Sequence, residues 1–242
     1  MLLKILTALI AIGVIALTYP FVKAQKDGAC PKSLLIKMAG ATGYMAVGAL
    51  CVAITGECSE FDKAMLLALL LSWLGDLFLH LWFHFACTAV GFTCFLASHI
   101  LFIRAYITGI NFLTASVPEK FFYSVPEIIL IVVLVGLFIY LIEKSDMNLH
   151  GFMRIPIIIY GIVILTMLCK ATILSIEAVK FGISPLAALC GILGALSFVA
   201  SDFSISILMF DRRHKKNFKL KLFNMYTYFI AEILLASLIY FI

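Results

Sequence analysis

The stretch LLLSWLGDLFLH, residues 69–80, holds one carboxylate, Asp76, among mostly apolar side chains. No lysine or arginine lies within ten positions of Asp76 on either side, so the carboxylate has little to pair with locally. A run of about 20 apolar residues is what an α-helix needs to cross a bilayer. The stretch therefore predicts a membrane-spanning helix and raises the question of what an aspartate does inside it.

The apolar character extends over the whole chain. Of the 242 residues, 64% are hydrophobic and 13% are charged, whereas soluble domains average about 45–50% apolar and about 25% charged residues. The net charge of +5 is too small and too clustered to indicate a nucleic-acid partner. We therefore expect an all-α protein, a polytopic membrane helix bundle that forms a single transmembrane domain over residues 1–242.

Windows of about 20 apolar residues predict eight transmembrane helices joined by short, charged connections. They cover residues 2–22, 33–55, 64–84, 87–107, 121–142, 155–174, 185–210 and 222–242. The first could pass for a signal peptide with a cleavage site at 22–24, but its apolar run exceeds the about 7–15 residues of such signals. We expect it to be the first span of an integral, multi-pass protein, in the cell membrane of a bacterium or an internal membrane of a eukaryote.

The distribution of lysine and arginine predicts the orientation. Most of the 18 basic residues lie in the connections after spans one, three, five and seven, which the positive-inside rule places in the cytoplasm. The seven cysteines show no C-x-x-C spacing, and we interpret them as small buried side chains. A disulfide of Cys30 or Cys58 is the alternative interpretation.

Ionisable side chains inside the spans are few. A charged group at the bilayer centre costs at least about 2.5–3.5 kcal/mol, so such residues usually face the bundle interior and mark function. The polar residues that we single out are Lys37, Asp76, His80, His99, Tyr160, Asp202, Tyr228 and Glu232. Two stripes recur every four residues, as neighbours on one helix face do. They are Ser72, Asp76, His80 and His84 on span three, and Asn224, Tyr228 and Glu232 on span eight.

Five of these residues share one depth. Lys37, Asp76, Tyr160, Asp202 and Tyr228 lie within about 12 Å of a predicted cytoplasmic boundary, at 1.5 Å of helix per residue. We expect one cavity that opens to the cytoplasmic leaflet. The simpler interpretations are aspartates that only bridge helices, tyrosines of an aromatic belt and histidines at a helix end.

Several motifs occur in an order that resembles a known family. They are GD at 75–76, ASH at 97–99, IYG at 159–161, GALSFVASD at 194–202 and TYFIAE at 227–232. The set is similar to the YhhN-like membrane family, which includes the lysoplasmalogenases, and SLLIKM at 33–38 is similar to its lysine-bearing second span. The resemblance runs from about residue 33 to the end. Glu232 stands where the family usually has Gln, and His80 and His84 are outside its pattern, so these three are left out of the expected mechanism.

The resemblance implies hydrolysis of the vinyl-ether bond of lysoplasmalogens, with a lysophospholipid as the binding partner and no metal or cofactor. The products are a fatty aldehyde and glycerophosphoethanolamine or glycerophosphocholine. Such hydrolysis begins with protonation of the enol-ether carbon and continues with capture of an oxocarbenium ion by water. Two carboxylates in a poorly solvated cavity divide these tasks when one is protonated and the other is ionised, as in glycosidases. We expect Asp76 and Asp202 to be that catalytic pair.

The remaining site residues are expected to bind substrate or water. Lys37, near the cytoplasmic boundary, is predicted to hold the head-group phosphate. Four more are predicted to orient water or to hydrogen-bond the glycerol hydroxyl and the carboxyl groups. They are His99, Tyr160, Ser201 and Tyr228.

Three other functions remain open. An aspartyl intramembrane protease also uses two membrane aspartates, but Asp76 follows WLG and Asp202 follows a serine, unlike the usual signatures. A zinc-dependent membrane lipid hydrolase would use Asp76, His80 and His84 together with His99. A proton-coupled transporter of lipids or small molecules would use the aspartates as proton relays. The head group, the chain length and the oligomeric state are not specified by the sequence.

Overall fold

The computed structural model describes residues 1–26, 28–81, 85–115, 124–144, 154–211 and 213–242. These residues form eight α-helices and no β-strand. The helices are α1 (Leu2–Ala24), α2 (Pro31–Thr55), α3 (Glu60–His80), α4 (Phe85–Leu113), α5 (Val125–Lys144), α6 (Arg154–Lys180), α7 (Pro185–Phe210) and α8 (Phe218–Leu238). The eight predicted helices are confirmed. The third was predicted to reach residue 84, but α3 ends at His80, and His84 lies outside the described residues.

Local sequence signals set the helix ends. Cys30 and Ser33 form a capping box at the start of α2, with Pro31 at the first helical position. Gly56 ends α2 in the left-handed region with φ of +79°, which glycine adopts without steric cost. Asn217 caps α8 through a hydrogen bond from the amide of Leu220 to its side-chain oxygen, 3.1 Å long. These caps satisfy amide groups that a helix leaves unpaired at its ends.

The molecule is an integral, multi-pass membrane protein by the length and composition of its helices. Within the described ranges, α1 to α7 are each long and apolar enough to cross a membrane. The remaining helix, α8, is 21 residues long but carries buried polar groups at Asn224, Tyr228 and Glu232. These polar side chains point into the protein interior. They make α8 less apolar than the other helices, so composition alone does not identify it as a membrane span. All seven cysteines are free, so the disulfide alternative does not hold.

Five helices enclose a common interior. Going round this ring, α3 packs against α4, α4 against α6, α6 against α7, α7 against α8, and α8 against α3. The second helix covers the junction of α3 and α8, and α1 packs on α2 and α8. Among the described residues, α5 packs only on α6 and exposes apolar side chains along most of its length. Polar residues that point inward from the ring therefore meet in one place.

Glycines allow the ring helices to approach closely. A Cβ atom on Gly75, directly before Asp76, would lie 2.6 Å from the ring of Phe95 on α4. On α7, a Cβ atom on Gly194 would lie 2.7 Å from the side chain of Leu235 on α8. The small residues of GALSFVASD thus bring α7 against α8, as small residues do in membrane helix packing.

Candidate active site

The first acidic cluster surrounds Asp76. Its Oδ1 forms an ion pair with the ammonium group of Lys37 at 2.9 Å, and the side chains are 3% and 7% exposed. Its Oδ2 accepts a hydrogen bond from the hydroxyl of Tyr228 at 2.8 Å and a longer one from Tyr44 at 3.4 Å. Both oxygens of Asp76 are therefore engaged, and the donors suit an ionised carboxylate.

Lys37 is held by more than its ion pair. The ammonium group lies 4.0 Å from the ring centroid of Tyr228 and 4.7 Å from that of Phe229, distances at which cation–π attraction operates. It also contacts the sulfur of Met225 at 3.7 Å. The ammonium group of Lys37 was predicted to hold a phosphate. In the structure it instead contacts Asp76 and the surrounding aromatic rings.

The second acidic cluster surrounds Asp202 on α7. Its Oδ2 accepts a hydrogen bond from the hydroxyl of Tyr160 on α6 at 2.7 Å. The same oxygen lies 3.1 Å from Nε2 of His99 on α4, and Nε2 lies 2.9 Å from the Tyr160 hydroxyl. In the described part of the chain no group donates to Oδ1, and the side chain of Asp202 is 16% exposed. One oxygen is held in place and the other is free to meet a ligand.

The two acidic clusters are neighbours, separated by an aromatic ring. The ring of Phe198 lies 4.6 Å from that of His99 and 5.7 Å from that of Tyr228, measured between centroids. No hydrogen bond joins Asp76 and Asp202, and α3 does not pack directly on α7 in the described residues. Asp76 and Asp202 therefore lie in two separate clusters that face one interior.

Ser201 does not reach either carboxylate. Its Oγ and its carbonyl oxygen both accept hydrogen bonds from the side-chain amide of Asn224, at 3.0 Å and 2.7 Å. Successive residues on a helix point about a quarter turn apart, so Ser201 faces α8 while Asp202 faces α4 and α6. The contact clamps α7 to α8 and so fixes the position of Asp202.

Some buried polar atoms in the interior lack hydrogen-bond partners among the described residues. They include both carboxyl oxygens of Glu232, Nδ1 of His99 and the hydroxyl of Tyr106. The Glu232 carboxyl group, one turn after Tyr228 on α8, lies near the hydroxyls of Ser72 and Tyr228. Buried polar groups are usually paired with protein or ordered water, so these atoms mark places that suit water or a ligand hydroxyl.

The histidines that a zinc site would use have different partners. His80 is buried at the end of α3, where its Nε2 lies 2.9 Å from the hydroxyl of Ser33. His99 belongs to the Asp202 cluster. Within the described ranges, which leave out His84, no three His, Cys, Asp or Glu side chains are grouped as metal ligands.

Sequence reasoning missed two features of the Asp76 cluster. Tyr44 lies seven residues after Lys37 and so on the same face of α2, a spacing that could have pointed to it. The Lys37–Asp76 pair joins opposite charges from two helices. The matched depth of the two residues in the membrane could have pointed to this pair. Phe198, which lies between the clusters, has no polar signal in the sequence.

The family comparison agrees with the motifs that occupy these clusters. The model of the YhhN family matches residues 32–239. No curated protein and no solved structure is detectably similar to the chain. The matched range includes every residue of both acidic clusters, and the chain belongs to the YhhN family.

Proposed function

We propose that this protein is a lysoplasmalogenase-like hydrolase that cleaves the vinyl-ether bond of lysoplasmalogens by acid catalysis within the helix ring. The observation that carries the proposal is the hydrogen bonding and exposure of the Asp202 carboxyl group. Its Oδ2 contacts His99 and Tyr160, whereas no described residue donates to Oδ1, and the side chain as a whole is 16% exposed. Membership of the YhhN family supports the same reaction.

Asp202 is assigned the role of proton donor. A neutral carboxyl group whose carbonyl oxygen accepts the two hydrogen bonds directs its remaining O–H at the substrate. Transfer of that proton to the enol-ether carbon leaves a carboxylate beside the oxocarbenium ion, which stabilises it. General acid catalysis of this kind contributes about 10²–10⁴-fold to the rate.

Asp76 is assigned the role of the ionised partner. Its pairing with Lys37 keeps it charged, and its Oδ2 orients the hydroxyl groups of Tyr228 and Tyr44. These hydroxyls are the groups that would hold the water that captures the oxocarbenium ion. The hemiacetal formed then collapses to a fatty aldehyde and a glycerol hydroxyl, and Asp202 regains its proton.

The proposal is tested by aldehyde release from a lysoplasmalogen by purified protein in lipid nanodiscs. Wild type should release aldehyde, and Asp202→Asn should be at least about 100-fold slower, because Asn cannot donate the proton. The saturated alkyl-ether analogue is the matched control, since it has no double bond to protonate and should stay intact. Asp202→Asn with near-normal rates, or cleavage of the alkyl ether, would refute the mechanism. Transport of the lipid without aldehyde would favour the proton-coupled transporter.

A further inference from the structure

A lysine at the amino-terminal end of α8 has no acidic partner among the described residues. Lys221 is half-buried, and its ammonium group reaches only the carbonyl oxygen of Gln25, at 3.4 Å. Within the described residues no carboxylate lies at ion-pair distance from it. A partly desolvated cation without a counter-charge is costly, so the site favours an anionic ligand.

The surroundings of Lys221 increase its preference for an anion. The amino-terminal ends of α2 and α8 lie at the same end of the bundle, and helix amino termini carry partial positive charge. The end of α1, the start of α2 and the connections beside them add exposed basic side chains at Lys23, Lys26, Lys32, Lys215 and Lys216.

Lys221 lies on α8 close to residues of the Asp76 cluster. It lies one turn before Met225, whose sulfur contacts the Lys37 ammonium group at 3.7 Å. It lies seven residues before Tyr228, the hydrogen-bond donor to Asp76, which is about 10 Å along the helix axis. A glycerol backbone and a lysine side chain can bridge that separation. Lys37 is not available for this role because it is paired with Asp76.

We infer that Lys221 anchors the phosphate group of a single-chain phospholipid whose ether-linked chain extends into the helix ring. The inference rests on the proposed function, because it assigns the head-group site that the lysoplasmalogen reaction requires. The site takes a phosphodiester, and the phosphate comes from the bound lysophospholipid itself rather than from a resident anionic bilayer lipid.

The test measures binding of an alkyl-ether lysophosphoethanolamine, which has the phosphate but is not cleaved. The variant is Lys221→Gln, and the matched control is Lys219→Gln, which removes the same charge from an exposed position two residues earlier. The Kd should rise about tenfold or more for Lys221→Gln, as expected for loss of a charge-assisted hydrogen bond, and less than twofold for Lys219→Gln. An alkylglycerol without phosphate should bind both variants as it binds wild type.

Three outcomes would overturn the inference. They are equal effects of the two variants, an equal loss of affinity for the alkylglycerol, or competition by a diacyl anionic phospholipid that removes the effect of Lys221→Gln. The assay requires no turnover. Failure to release aldehyde from lysoplasmalogen would therefore refute the proposed hydrolase, while this binding result would stand or fall separately.

Discussion

Asp76→Asn is expected to destabilise the protein because it leaves a buried cation without its counter-charge. The Lys37 side chain is 7% exposed and its ammonium group is 2.9 Å from Asp76. Breaking a buried ion pair by removing one partner costs about 3–5 kcal/mol. The cation–π contacts of Lys37 with Tyr228 and Phe229 are present in both proteins and do not change this difference. We therefore expect a loss of about 3–5 kcal/mol in the free energy of unfolding.

Asp202→Asn is the matched variant, since it makes the same chemical change in the other acidic cluster. The partner of Asp202 is a histidine, which can be neutral, so no uncompensated charge remains. The expected loss is that of weakened hydrogen bonds, about 1–2 kcal/mol. The double variant Lys37→Met/Asp76→Asn removes the buried charge and should recover most of the stability lost in Asp76→Asn.

Unfolding by SDS titration in mixed micelles provides the free energies for the four proteins. Asp76→Asn should be the least stable of the four, and the double variant should be closer to wild type. Equal losses for Asp76→Asn and Asp202→Asn would refute it. A double variant no more stable than Asp76→Asn would do the same, because the cost would then not come from the Lys37 charge.

Three further changes are open to measurement. Glu232→Gln should shift thermal stability little, because neither carboxyl oxygen has a hydrogen-bond partner among the described residues, and a large drop would show that the carboxylate is needed. Gly75→Val should lower the stability by about 1–3 kcal/mol through the clash with Phe95. Gly136→Val, on the exposed face of α5, should cause no such loss. Similar losses in both variants would contradict the packing argument. Arg213 holds the pKa of Asp211 well below its usual range, so this carboxylate stabilises the fold above about pH 4 and loses its effect as the pH falls through the folded pKa. Thermal melts of Asp211→Asn should show a deficit at pH 7 that closes in acid, and a deficit independent of pH would argue against the assignment.

The helices were predictable because a bilayer imposes a length of apolar sequence that is visible in any window. Composition also marked the residues that face inward, since Asp76, Asp202, Tyr160 and His99 are costly in lipid. The predicted positions of the helix ends were less accurate. Capping contacts such as that of Asn217 start α8 before its apolar run does.

The contacts within the site were not predictable from composition. Whether Lys37 faces a phosphate or Asp76 depends on the crossing of α2 and α3, which no local pattern specifies. Ser201 and Asp202 are adjacent in sequence, but successive residues on a helix point about a quarter turn apart. Ser201 therefore faces α8, whereas Asp202 faces α4 and α6. The place of Phe198 between the clusters follows from packing alone.

The most direct test of the proposed mechanism is an experimental structure with the uncleaved alkyl-ether lysophosphoethanolamine bound. The first chain carbons beside the ether oxygen should lie within about 3–4 Å of Oδ1 of Asp202, the separation of reacting atoms in a productive complex. The hydroxyls of Tyr228 and Tyr44 should face the other side of the ether. A lipid bound on the outer face of the helices, with its ether group distant from both carboxylates, would contradict the account.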